Sequence, residues 1–163
     1  MTLFDRAVAT LAILFTGAIF GFFYSWACSA MWGFDIADPR VAIAAMQAVN
    51  ASVRNAAFFP AFFLTPVILA WAGWQLRGRG GAWFGAAALV YLFGGLVLTM
   101  MANVPMNEAL GRLAVPQDRA AAAAIWADYS GPWQAWNLAR TVLSGVALAL
   151  ASWGLLSAGR ATV

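Results

Sequence analysis

Four apolar stretches, each about 20 residues long, constrain this chain more than any other feature of its sequence. They run from about Ala7 to Ala30, Ala56 to Leu76, Ala82 to Ala102 and Trp136 to Leu156. At 1.5 Å per residue, each reaches across a hydrocarbon core of roughly 30 Å. Lipid offers no partner to a bare N–H or C=O, so such segments have to be helical. Composition agrees: 64% of the 163 residues are hydrophobic and 9% are charged, whereas soluble domains are near half apolar and about a quarter charged. The sequence predicts an all-α polytopic membrane protein, a single four-transmembrane-helix bundle over residues 1–163.

The connections are unequal. Arg77-Gly78-Arg79-Gly80-Gly81 is a tight turn between the second and third stretches, and the other two connections are long. A short link makes its two helices antiparallel neighbours. Asp38-Pro39 reads as a helix start, with Asp as cap and Pro in the first position, so Pro39 to Arg54 is expected as a surface helix. In the second long connection, Asn107 to Leu113 and Gln117 to Tyr129 are expected as two further short helices, with Ser130-Gly131-Pro132 breaking the chain before the last crossing. Asp38-Pro39-Arg40 and Pro116-Gln117-Asp118-Arg119 open corresponding surface helices, a faint internal repeat. Gly17-x-x-x-Gly21 is expected to let another helix approach closely, within the bundle or between protomers.

Residues 1–27 hold Ser25-Trp26-Ala27, a loose cleavage-like site, but the apolar stretch is longer than a signal core and is read as the first crossing. Arg6, Arg77, Arg79 and Arg160 gather at one end of the bundle beside helix ends. That pattern predicts both termini in the cytoplasm and the long connections outside, in a bacterial inner membrane. The chain carries nine Arg and no Lys, an Ala-rich, Arg-only usage that points to a GC-rich bacterial genome.

Several chemistries are disfavoured. The net charge of +3 is scattered, whereas nucleic-acid binding needs clustered positive charge, so no such partner is expected. A single cysteine, Cys28, precludes an internal disulfide framework and reads as a small buried hydrophobe. With no histidine the usual zinc, copper and iron ligand is missing, and no metal is expected. Triads, phosphate loops and dinucleotide folds are unsupported by any motif.

The informative polar residues gather where the crossings meet the long connections. Trp133, Asn137, Arg140 and Ser144 follow at intervals of 4, 3 and 4, along one helix face. An Arg at membrane depth costs at least ~2.5–3.5 kcal/mol at the helix centre, so it normally faces the bundle interior with a partner; Glu108, the only glutamate, is the expected partner of Arg140. Thr99, Asn103 and Asn107 share a face near Pro105, whose missing N–H frees carbonyls. Gln47, Asn50 and Arg54 share a face of the first surface helix, and Asn55 follows. Tyr24, Trp26, Trp32, Trp126, Tyr129, Trp133 and Trp136 lie at the same level, either as an interfacial belt or as the walls of a cavity. Such a cavity suits a flat, hydrophobic, oxygen-bearing ligand.

Four blocks carry a resemblance: Gly21-Phe22-Phe23-Tyr24-Ser25-Trp26, Ala45-Met46-Gln47-Ala48-Val49-Asn50, Asn103-Val104-Pro105-Met106-Asn107, and Trp126-x-x-Tyr129-x-x-x-Trp133-x-x-Trp136-Asn137-x-x-Arg140. Together they resemble the anthrone oxygenase-like membrane proteins. The resemblance implies a monooxygenase that turns an anthrone-like planar polycyclic substrate into a quinone with dioxygen and without a cofactor. On that basis Arg140 and Asn137 would stabilise developing negative charge, and Asn103 and Asn107 would orient the carbonyl. Glu108, with Tyr129 second, would be the base. Trp126, Trp133 and Trp136 would stack on the rings, with Tyr24, Gln47, Asn50, Arg54 and Asn55 around the substrate. The residues also allow a non-enzymatic membrane protein, either an accessory subunit of a larger complex or a quinone- or lipid-binding protein; assembly as a homo-oligomer or within a larger membrane complex is compatible with either reading. A small transporter fits less well, because no charge pathway crosses the bundle.

Overall fold

The computed structural model describes residues 1–160, without the side chain of Arg160; residues 161–163, assigned above to the same domain, lie outside the described residues. Among these the chain forms five helices and no strands. α1 (Leu3–Ile36), α3 (Phe58–Gln75) and α4 (Gly81–Gly111) are three membrane crossings. α2 (Pro39–Ser52) lies in the first long connection. α5 (Arg119–Arg160) contains the fourth crossing. The protein is a four-transmembrane-helix bundle, as the apolar pattern predicts.

The two bundle ends differ. At the turn end, Phe4 of α1 packs edge-on against Trp71 of α3 at 6.1 Å. Gly80 there holds φ +93°, and a Cβ on it would sit 2.6 Å from the Gly154 carbonyl of α5; only glycine satisfies both demands. At the loop end, α2 begins as predicted: the Asp38 side chain accepts the Arg40 N–H at 2.9 Å, with Pro39 in the first turn. Asp118 caps α5 in the same way, accepting the Ala121 N–H at 2.8 Å. The two cap regions meet, since Arg40 donates to the Gln117 carbonyl at 3.2 Å and Arg119 pairs with Asp38 at 3.8 Å.

Three expectations are corrected. The short helices of the second long connection are not separate. Residues 104–111 continue α4, and residues 119–129 continue into the last crossing, so α5 runs unbroken through Ser130-Gly131-Pro132. Pro132 only forgoes one hydrogen bond in a helix anchored on both sides by packing. Pro105 is absorbed differently: the two turns before it, Leu92–Val97 and Thr99–Asn103, are π-helical, and the Val104 N–H bonds the Thr99 carbonyl five residues back. Within the bundle Gly17-x-x-x-Gly21 makes no close approach, because a Cβ on Gly21 would meet nothing within 4 Å and one on Gly17 only Leu148 at 3.9 Å. The close helix contact lies at Gly94, where a Cβ would fall 2.6 Å from the Leu143 Cβ of α5.

Candidate functional site

Gly94 lets α4 approach α5 closely, and the widened turns after it aim a row of polar side chains at α5. Thr99, Asn103 and Asn107 each meet a partner there. Arg140 donates to the Thr99 hydroxyl at 3.3 Å, Asn103 donates to the Trp133 carbonyl at 3.4 Å, and Asn107 accepts from Tyr129 at 2.7 Å and from the Trp133 indole at 2.8 Å. The predicted faces of the two helices therefore do meet. Asn137 ties the row to α1, donating to the Phe23 carbonyl at 3.0 Å and accepting from Arg140 at 2.9 Å.

Arg140 is the centre of this cluster. It is 5% exposed, and its guanidinium lies over the Phe23 ring at 4.4 Å and the Trp133 ring at 5.3 Å, within cation–π range. Its Nε is buried with no hydrogen-bond partner, as is Asn103 Oδ1. The expected ion pair with Glu108 does not form. Glu108 instead pairs with Arg54 at 3.6 Å and Arg112 at 3.8 Å, at the exposed loop end. Glu108 lies nine positions beyond Thr99, the partner of Arg140, roughly 13 Å along a helix. That distance is why the two charges do not meet. Among the described residues no carboxylate pairs with Arg140.

A cavity of about 280 Å³ opens beside Arg140, near the lower bound of small-molecule sites. At its inner end are Arg140, Thr99, Phe23 and Trp133; at its loop end are Asn50, Arg54, Asn107 and Glu108. Phe22, Trp26, Phe58 and Phe62 form much of the wall between. The cavity thus pairs an apolar aromatic body with a cation at one end and an ion pair at the other.

Not every predicted residue lines it. Asn103, Asn137 and Tyr129 stand behind it, holding Trp133, Arg140 and Asn107. Gln47 donates to the Leu110 and Leu113 carbonyls at 2.9 Å each, satisfying the end of α4. Asn55 accepts the Ala57 and Phe58 N–H groups at the start of α3. Tyr24 and Trp136 are outward-facing and about half exposed. Trp126 turns away, donating to Asp35 at 2.9 Å; Ser130 and Gln134 donate to the same carboxylate. The α3 phenylalanines were missed. Their signal was present, because Phe58-Phe59 and Phe62-Phe63 repeat at four residues and so form one stripe. Among the described residues no three His, Cys, Asp or Glu side chains come together as a metal site would need.

Fold and site together define a class: a four-helix membrane protein with a cation-tipped aromatic cavity at one end of the bundle. The anthrone oxygenase family model matches residues 50–150, which include α3, α4 and the site-bearing part of α5, and the chain belongs to that family. No curated protein and no solved structure matches it.

Proposed function

We propose that the protein oxidises an anthrone-like planar polycyclic substrate to its quinone with dioxygen, using its own side chains and no cofactor. The observation that carries this reading is Arg140: a buried guanidinium on the cavity wall with an unpartnered Nε and, among the described residues, no carboxylate paired with it. A buried cation without a counter-ion is costly. A ligand that develops negative charge on oxygen offsets that cost when charge forms, which is the logic of an oxyanion hole.

The chemistry follows from the substrate. The central methylene of an anthrone is acidic because its anion delocalises onto the carbonyl oxygen. Glu108, on the cavity wall, is the base. Arg140 holds the oxyanion. The electron-rich anion passes an electron to dioxygen, the two radicals combine at the deprotonated carbon, and the peroxide takes up a proton. Loss of water across the new C–O bond leaves the second carbonyl, so one substrate and one dioxygen give one quinone and one water. Asn137, Asn103 and Tyr129 act as positioning residues through Arg140, Trp133 and Asn107.

The test is anaerobic incubation of the purified protein with a simple anthrone, followed by air, with quinone absorbance read against a detergent blank. Arg140→Met is expected to lower kcat by about 10²–10³-fold, the usual consequence of losing one such donor, while the unfolding midpoint holds or rises, because an apolar side chain replaces an unpaired buried charge. Wild-type rates no faster than the blank, or equal rates in the variant, would remove the reading. A non-enzymatic quinone binder shares this cavity, and binding of anthraquinone without turnover of any anthrone identifies it.

A further inference from the structure

The cavity has a second boundary. α3 and α4 are tightest at the turn end, where a Cβ on Gly73 would lie 3.0 Å from the Gly81 carbonyl. Toward the loop end α3 leans instead on α1, through Phe22 and Phe58 at 4.9 Å. Between α3 and the second half of α4, the cavity wall includes Phe59, Phe63 and Met100. These same residues are 40%, 41% and 47% exposed. The wall between these two helices is therefore made of partly exposed side chains, and none of the three is polar. Met is unbranched and adaptable, and exposed side chains change rotamer in picoseconds to nanoseconds. The loop end is different: Arg54, Glu108 and Arg112 form a chain of ion pairs there.

We infer that the cavity is filled sideways from the bilayer: a planar apolar solute dissolved in lipid passes between α3 and α4, past Phe63 and Met100, and carries its polar oxygen toward Arg140. The inference rests on the proposed function for the kind of ligand, and adds its source and route. A flat hydrophobic solute partitions into lipid. The side route keeps it among apolar groups until the oxygen meets the cation, whereas the loop-end route takes it past exposed charges. Phe63 and Met100 are then specificity-determining at the entrance, since their width sets which ring systems pass.

Entry and affinity can be separated with anthraquinone, which is not a substrate. In phosphatidylcholine proteoliposomes, stopped-flow quenching of tryptophan fluorescence gives the association rate, because Trp26 and Trp133 line the cavity. Transfer to excess protein-free vesicles gives the dissociation rate. Met100→Trp is expected to slow both at least fivefold, and Phe63→Ala to speed both, whereas a change in affinity alone would move the two rates apart. Met101→Trp is the control, since Met101 is 77% exposed and does not line the cavity. Unchanged rates in Met100→Trp, equal slowing in Met101→Trp, or slowing by Asn50→Trp at the loop end in their place would overturn the route, as would no quenching at all. Portal kinetics as expected with no anthrone turnover would sink the oxygenase reading alone; turnover with portal variants inert would sink the route alone.

Discussion

At the scale of single residues, the site is organised by one cation and one acceptor. Asn107 Oδ1 takes two hydrogen bonds, from Tyr129 and from the Trp133 indole, and Trp133 in turn faces Arg140. Asn107→Leu removes the acceptor and leaves two part-buried donors unmet, at a cost of about 1–3 kcal/mol. Denaturant titration in detergent measures this. In a double-mutant cycle, Tyr129→Phe is expected to cost less in the Asn107→Leu background than in the wild type; equal costs would mean that the hydrogen bond contributes nothing. Much of this cluster was legible, because Trp133, Asn137 and Arg140 share a face by spacing alone and Asn103 and Asn107 share another. Glu108 was not. As the only glutamate it looks like the natural partner of a membrane-depth Arg, but spacing along α4 places it at the aqueous end, where Arg54 and Arg112 are nearer.

At the scale of helices, two devices bring the polar faces together, and only one has a sequence signature. Asp38-Pro39 announces its cap, and the structure builds it. Its carboxyl is pushed down from 3.8 to about 2, first by the hydrogen bond from the Arg40 side chain, then by the Arg40 N–H, with Arg40 and Arg119 adding their charge. A carboxyl depressed on folding stabilises the fold above its unfolded value and loses that contribution as pH falls toward 2. The amides at the start of α2 are therefore expected to lose protection, relative to their intrinsic exchange rates, as pH falls from about 4 to about 2, and Asp38→Asn to show the lower protection at neutral pH with that dependence gone. The second device is the pairing of Gly94 with the π-helical turns before Pro105, and a proline does not say how its missing bond is absorbed. Gly94→Val is expected to destabilise the bundle by about 1–3 kcal/mol through overpacking and to weaken the Thr99–Arg140 contact. Leu143→Ala should not rescue it, because the Leu143 Cβ is itself 2.6 Å from the added atom; Leu143→Gly should. Rescue by Leu143→Ala would show that the helices simply move apart.

At the scale of the whole molecule, four crossings are an even number, so the two ends of the bundle chain lie on one side and α2 with the start of α5 on the other. The charge pattern predicts that the turn end faces the cytoplasm: Arg77 and Arg79 sit in the tight turn and Arg6 near the start of α1, whereas the loop end carries acidic partners for its arginines, Asp38 for Arg40 and Glu108 for Arg54. Arginines beside crossing ends in short links favour retention on the cytoplasmic side. In that predicted orientation the cavity, which opens near the loop end, would draw from the outer leaflet. In a Cys28→Ser background, Leu113→Cys in intact cells should react with a membrane-impermeant maleimide, since Leu113 is exposed at the loop end. Arg79→Cys should react only after permeabilisation. The reverse pattern would turn the bundle over, moving the cavity to the cytoplasmic leaflet and its substrate supply to the cell interior, without altering any contact that builds it.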